Sequence, residues 1–446
     1  MKENLMTSNF HIYLASAGTG KTHTLMQIVQ RHLDEGVQPE QIAFVTFTKA
    51  GATVAQLRAA EAFGFPLSRL PHFRTIHSMA FRGVGASRDK MMNYERYKKF
   101  GELANYDFGH LQLDASEGVD WQSQSDSRLL RLEQLYRQNR KYAERIMCDN
   151  IDISELSDFM YRYTKFKQIN GYMDFTDLLE TYIKSGLNEN VKVVCLDEMQ
   201  DSSPLQWQVV FQAFANADYI YAAADQKQCI YGFSGASPTT ILQLKGQQHR
   251  LETSHRVPSN LLTYAEGIAR LLSVDDGCRC KSTREGGDLK YLCSLDELAD
   301  DFHADESYMF LCRNRKFFKL YEKWCQDNCL PYTVMGEQFP SMSDKVAWRD
   351  GNLSNIPVDR CIVLQDYAKK GTIYKNANIR ISTIHGVKGD EADNVVLMSD
   401  MSRLSYKDMA VDEDAEHRVF YVAVTRARRR LYILQPTTKM YYPYLY

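Results

Sequence analysis

Leu14-Ala15-Ser16-Ala17-Gly18-Thr19-Gly20-Lys21-Thr22 is the stretch on which the fold turns. The apolar lead-in His11-Ile12-Tyr13-Leu14 reads as a strand, and an amphipathic helix follows with Leu25, Ile28, Val29 and Leu33 on one side. Strand, glycine loop and helix start in that order describe a phosphate-binding loop. Gly18 and Gly20 let backbone N–H groups turn toward an anion, and the helix start adds the positive end of its dipole. Lys21 is then expected at the outer phosphates and the Thr22 hydroxyl at Mg²⁺. Ala15 stands where the strict motif has another glycine. An ordinary capped helix start is the competing account.

Further along, Ile42-Ala43-Phe44-Val45 is a buried-type strand ending in Thr46-Phe47-Thr48-Lys49-Ala50. Strand–helix–strand alternation predicts an α/β fold with a parallel sheet, whose ligand sites lie off the carboxyl ends of its strands. Arg74-Thr75-Ile76-His77-Ser78 is a polar cluster that a helix cap by Thr75 or Ser78 would also explain. Val191-Lys192-Val193-Val194-Cys195-Leu196 runs into Asp197-Glu198-Met199-Gln200-Asp201. Acids placed there suit nucleotide hydrolysis, with Asp197 holding Mg²⁺ and Glu198 deprotonating the attacking water. A helix N-terminus that favours acids is the simpler alternative. One more strand, Tyr219-Ile220-Tyr221-Ala222-Ala223-Ala224, leads into the loop from Asp225 to Ala236.

Between Gly83 and Asn170 helices dominate. Leu129, Leu132, Leu135, Tyr136, Ala143 and Ile146 approximate one helical face, and Arg128, Arg131, Arg137, Arg140, Lys141 and Arg145 make the remainder basic. A solvated face is the plainer account of those cations, a nucleic-acid groove the other. The run Phe159 to Lys167 interleaves rings and cations, which suits base stacking and core packing equally.

With 446 residues the chain has room for two or three domains. Apolar and charged fractions of 44% and 25% are those of a soluble globular protein, and a net charge of -2 excludes a uniformly basic surface. Ten cysteines form no dense framework; Cys278, Cys280 and Cys293, or Cys325 and Cys329, are weak metal-site groupings beside free thiols. No apolar run reaches membrane-span length, and Lys2-Glu3-Asn4 precede only a short strand. The expectation is a cytoplasmic, reducing compartment and no membrane partner.

The ordered motifs Ala-Ser-Ala-Gly-Thr-Gly-Lys-Thr, Thr-Phe-Thr, Thr-Ile-His-Ser, Asp-Glu-Met-Gln-Asp and Asp-Gln-x-Gln-x-Ile-Tyr-Gly-Phe-x-Gly-Ala resemble those of UvrD/Rep-type superfamily 1 DNA helicases. The resemblance continues through Leu251-Glu252-Thr253-Ser254-His255-Arg256, the run from Ser382 to Glu391, and the run from Glu416 to Ala427. It implies two RecA-like P-loop domains with parallel sheets, a helical insertion in the first, and ATP between them. The implied division is 1–82 with 171–249 for the first domain, 83–170 for the insertion and 250–446 for the second domain.

By the same resemblance, Ala15, Ser16, Ala17, Gly18, Thr19, Gly20, Lys21 and Thr22 cradle the nucleotide, with His255 at the base and Glu391 at the sugar. Gln228 matches a glutamine that senses the γ-phosphate, and Arg256 and Arg426 match arginine fingers. Phosphoryl transfer is catalysed by positioned cations, so such a finger is worth roughly 10³–10⁵ in rate. Phe47, Tyr231 and Phe233 match positions that stack on bases of a single strand. Thr75, His77 and His385 match positions near the DNA backbone, and Arg313 is expected to add a phosphate contact.

Departures accompany the matches. No adenine-reading glutamine motif precedes Ala15, His255 replaces a stacking tyrosine, Ser234 replaces an arginine, and Lys49-Ala50 replaces an Asn-Lys pair. About 70 residues separate Arg313 from Thr383, where larger relatives insert a second helical subdomain, so that insertion is expected to be absent or vestigial. The implied function is an ATP-dependent, Mg²⁺-requiring monomeric helicase that moves 3′ to 5′ on single-stranded DNA and opens forked duplex in replication, repair or recombination. A translocase that strips proteins from DNA or drives a larger nuclease complex is the nearest alternative, and a nucleotide-controlled binding module that no longer cycles is a more distant one.

Overall fold

The computed structural model describes residues 9–108, 127–147, 152–354 and 356–446, without the side chains of Tyr142, Arg145, Ile146 and Met147. The readings made on Lys2-Glu3-Asn4 and on the side chains of Arg145 and Ile146 therefore lie outside the described residues, as does the middle of the helical stretch. The chain divides into two compact units, one of Met1–Thr253 with Val274–Cys280 and one of Ser254–Ser273 with Lys281–Tyr446.

The first unit is built on strands β1 (Phe10–Leu14), β2 (Ile42–Thr46), β3 (Phe73–Thr75), β4 (Val193–Asp197), β5 (Tyr219–Ala224) and β6 (Gln247–Arg250). They form one parallel sheet in the order β3-β2-β4-β5-β1-β6. Every residue of β2 and β4 is buried, because helices cover both faces of a parallel sheet. Side chains alternate between those faces. Ala43, Val45, Val194 and Leu196 pack with helices α3 (Ile76–Gly83), α8 (Phe175–Lys184) and α9 (Pro204–Ala213), while Ile42, Phe44, Val193 and Cys195 pack with α1 (Lys21–Asp34) and α2 (Lys49–Phe63).

Helices α4 (Tyr94–Ala104), α5 (Ser127–Gln138), α6 (Arg140–Met147) and α7 (Ile153–Asn170) interrupt the α/β pattern. A separate core of Phe100, Leu129, Leu132, Phe159, Tyr163 and Phe166 holds α4, α5 and α7 together. The rings of the Phe159–Lys167 run are thus mostly core, and Tyr161 alone of them is exposed, at 64%. Arg137, read as part of a basic face, instead pairs with Glu133, Asp174, Asp177 and Glu180 on the inward side of α5.

The second unit carries β7 (Asp288–Leu292), β8 (Tyr308–Cys312), β9 (Tyr332–Val334), β10 (Glu337–Phe339), β11 (Ile379–Thr383), β12 (Ala392–Met398) and β13 (Ala427–Leu434). Their order is β10-β9-β11-β8-β12-β13-β7, parallel except for the β9–β10 hairpin. Between Arg313 and Thr383 the chain forms that hairpin and helices α11 (Phe318–Asp327), α12 (Met342–Arg349) and α13 (Val358–Lys369). Helices α10 (Ser259–Ala269), α14 (Arg403–Val411) and α15 (Glu413–Val424) complete the unit. No described helix is long and apolar enough to cross a membrane.

Candidate nucleotide and single-strand sites

Strand register assembles the first site. Leu14 pairs with Ala224 and Thr46 with Asp197, so the glycine loop, the acidic run and the Asp225 loop all leave one carboxyl edge of the sheet. The Ala15 amide donates to the carbonyl of Ala224 at 3.0 Å, which sets the loop's starting point. Ala15, Ser16, Ala17 and Thr19 are buried, and the Thr19 hydroxyl closes the loop on the Ser16 carbonyl at 2.9 Å. Gly18 and Gly20 adopt φ of 73° and 78°, the left-handed region where a Cβ is unfavourable. Ala15 lies outside that region, so its substitution for glycine is accommodated.

Helix α1 begins at Lys21 without a side-chain cap, leaving its first amides for a ligand. Lys21 Nζ lies 3.5 Å from Glu198 and 4.0 Å from Asp225. The Thr22 hydroxyl donates to Asp197 at 2.5 Å. Burial, and next the neighbouring Glu198 carboxylate, push the Asp197 acid up to about 6. A buried carboxylate and a hydroxyl in contact form a hard-oxygen pair suited to Mg²⁺, whose charge would favour the ionised acid.

Glu198 has φ 54°, a conformation that costs a non-glycine residue about 1–3 kcal/mol and occurs at functional sites. Its carboxylate accepts from Gln200 Nε2 at 2.5 Å, while Gln200 Oε1 accepts the Asp225 amide at 3.0 Å. Gln228 Nε2 donates to Asp225 at 2.5 Å. Gln200 and Asp225 therefore join Lys21, Glu198 and Gln228 into one polar cluster. Sequence reading did not select these two residues, although both stand inside quoted motifs. It also passed over Lys227, which is fully buried and donates to Ser16 Oγ at 2.7 Å and to the Cys278 carbonyl.

The same loop carries rings. Tyr231 stacks on Phe47 with centroids 5.2 Å apart, and Phe233 meets Tyr231 edge-on at 5.7 Å. All three are half-buried, leaving ring surface accessible. Thr75 accepts the Ser78 amide at 3.2 Å and so caps α3. His77 packs edge-on against Phe175, and burial lowers its imidazole to about 4, so it is neutral at physiological pH.

In the second unit, His255 is exposed and Arg256 is ion-paired with Glu391, which also lies 3.4 Å from Arg428. Arg426 is fully buried and donates to the carbonyls of Val422 at 2.9 Å and Asp390 at 3.1 Å. His385 is buried just beyond β11. The Arg313 guanidinium is buried and forks onto Glu416 at 2.8 and 2.9 Å.

Cys278 is buried in the first unit's core, with its thiol pushed up to about 11 by burial. Among the described residues no group of three or more His, Cys, Asp or Glu is arranged to hold a metal ion.

Residues 3–249 match the UvrD/REP helicase N-terminal domain, and residues 350–437 match the UvrD-like helicase C-terminal domain. A probable DNA helicase of Mycoplasma pneumoniae is 22% identical over 97% of this chain and 82% of its own length. The ATP-dependent DNA helicase PcrA of Staphylococcus epidermidis is 24% identical over 74% of this chain, which spans 48% of that protein. The Arterivirus nonstructural protein 10 helicase superposes with a TM-score of 0.39 at 12% identity, over 97% of this chain and 61% of that one. The N-terminal match alone spans more than half of the sequence and takes in the glycine loop, the acidic run and the ring-bearing loop, so the chain belongs to the UvrD/REP helicase family.

Proposed function

We propose that this chain is an ATP-dependent DNA helicase that moves 3′ to 5′ along single-stranded DNA and opens forked duplex. One observation carries the reading: a single loop, Asp225 to Ala236, holds Gln228 in the polar cluster with Lys21 and Glu198 and, a few residues on, presents Tyr231 and Phe233. A shift of that loop with nucleotide state would change the grip on bases, which links hydrolysis to movement. Ring stacking contributes about 1–3 kcal/mol per base and accepts any sequence, as a motor requires.

In this mechanism the loop amides and Lys21 bind the phosphates of ATP, and Glu198 takes a proton from the attacking water. Thr22 and Asp197 would hold Mg²⁺, which would supply neutralisation of phosphate charge. Arg256 and Arg426 are the cations proposed for the transferred phosphoryl group, with His255 and Glu391 at the base and sugar. Phe47, Tyr231 and Phe233 stack on bases, and Thr75, His77 and His385 lie along the backbone. The proposed domains are 1–82 with 171–249, the insertion 83–170, and 250–446 with at most a vestige of a second insertion. The working form is proposed to be a cytoplasmic monomer.

Lys21→Ala and Glu198→Gln should each abolish DNA-stimulated ATP hydrolysis while leaving the circular dichroism spectrum unchanged; retained turnover in either refutes the reading. The small elements between Arg313 and Thr383 favour a second reading, a translocase that clears proteins from DNA with little unwinding. Unwinding of forked against blunt duplexes separates the two.

A further inference from the structure

The joint between α5 and α6 is Asn139, a position to which no motif points. Its side chain is buried, and Nδ2 donates to the Gly235 carbonyl at 3.1 Å. Beside it, Gln138 accepts the Ser203 hydroxyl at 2.6 Å and donates to the Thr176 hydroxyl at 3.2 Å. Ser203 is the N-cap of α9, directly after the acidic run, and Gly235 closes the turn that bears Phe233. One joint in the helical stretch therefore touches both the segment after Asp197–Asp201 and the loop of rings.

The approach is close and leaves no slack. Gly235 has φ 92°, and a Cβ there would lie 2.8 Å from the Gln138 Cβ. The joint is also anchored from behind, since Arg137 is pinned by Glu133, Asp174, Asp177 and Glu180.

We propose that Asn139, with Gln138, is a positioning residue for single-strand binding, fixing the pose of the Tyr231–Phe233 turn against the segment that follows the acidic run. It rests on the reading of Phe47, Tyr231 and Phe233 as the base-stacking surface. A hydrogen bond lost at the joint loosens the turn, so rings meet a base less often in the stacking pose, while the hydrolytic groups are untouched.

The test is ATP hydrolysis by the full chain titrated with oligo(dT), comparing the parent, Asn139→Asp, Phe233→Ala and the double variant. Asn139→Asp keeps the side chain's size and removes the amide donor. It should raise half-saturating oligo(dT) about three- to tenfold, the range of one hydrogen bond, with maximal turnover changed less than about twofold. In the Phe233→Ala background the same substitution should add less than its full shift, because part of its effect is carried by that ring. Gln138→Leu, which removes the Ser203 contact, should reproduce the shift and serves if Asn139→Asp folds poorly. An unshifted half-saturation, or a shift that adds fully to that of Phe233→Ala, overturns the inference alone. A parent whose hydrolysis ignores oligo(dT) overturns the helicase reading and the inference together.

Discussion

Lys227 and Asp276 lie 3.9 Å apart, and neither side chain reaches solvent. Burial outweighs the pull of the lysine and raises the Asp276 acid to about 6. The sign follows from linkage. An acid whose folded value is raised stabilises the fold below its unfolded value near 4, and that contribution is lost as pH rises to about 6. At pH 7 the ionised form is a cost. Asn keeps the acceptor that Asp276 offers the Cys278 amide at 2.8 Å, so Asp276→Asn should raise stability at pH 7. The gain should be about 1–2 kcal/mol by urea unfolding and should vanish near pH 4. A lower unfolding midpoint at pH 7 would show that the ion pair dominates.

The Arg137 network makes the opposite prediction. Glu133 and Asp174 are 1% and 2% exposed, and Arg137 contacts both, at 2.9 and 3.2 Å. Arg137→Met takes the guanidinium away from two buried acids, leaving Asp174 with Lys167 at 2.5 Å, the Tyr163 hydroxyl at 3.1 Å and the Asp177 amide at 2.7 Å. Removing one partner from a buried ionic cluster costs about 3–5 kcal/mol. Thermal unfolding followed by circular dichroism should show a transition lower by several degrees; an unmoved transition would mean that water reaches these acids.

Much of this architecture was legible in the sequence for a physical reason. Strands buried on both faces must be continuously apolar, and Ile42 to Val45 and Val193 to Leu196 announce themselves that way, each followed by polar residues at the carboxyl edge. Pairings without a local signal were not legible. Arg313 follows a buried strand just as Asp197 does, and its partner Glu416 is 103 residues away. Phe159, Tyr163 and Phe166 follow helical core spacing, but their neighbouring cations concealed it, since Lys167 turns inward to Asp174. The return of Val274–Cys280 to the first unit has no periodicity at all, and what holds it is Cys278 in the core and the buried Lys227.

Arg256 offers a prediction in which stability and turnover separate. Its ion pair with Glu391 is partly exposed, with side chains 22% and 34% accessible, so the pair contributes at most about 1 kcal/mol. Arg256→Lys keeps the charge but loses the planar fork that matches a phosphoryl group. The melting temperature should stay within a few degrees of the parent, while the kcat of DNA-stimulated ATP hydrolysis should fall by roughly 10²–10⁴. Turnover within tenfold of the parent would remove Arg256 from the phosphoryl site.

The ring cluster allows its three members to be ranked. Phe47 and Tyr231 stack face to face at 5.2 Å, so each supports the other, whereas Phe233 presents an edge to Tyr231 at 5.7 Å. A ring already stacked on a neighbour has one face left for a base, and removing it also withdraws support from its partner. Phe47→Ala and Tyr231→Ala should therefore weaken oligo(dT) binding and lower the melting temperature together. Phe233→Ala should weaken binding by a similar amount, about 1–3 kcal/mol or roughly 5- to 150-fold in Kd, with the smallest loss of stability of the three. Fluorescence anisotropy of labelled oligo(dT) beside thermal melts measures both quantities. If Phe233→Ala costs the most stability and leaves Kd unchanged, the ring is packing material, and the strand must be gripped elsewhere on the chain.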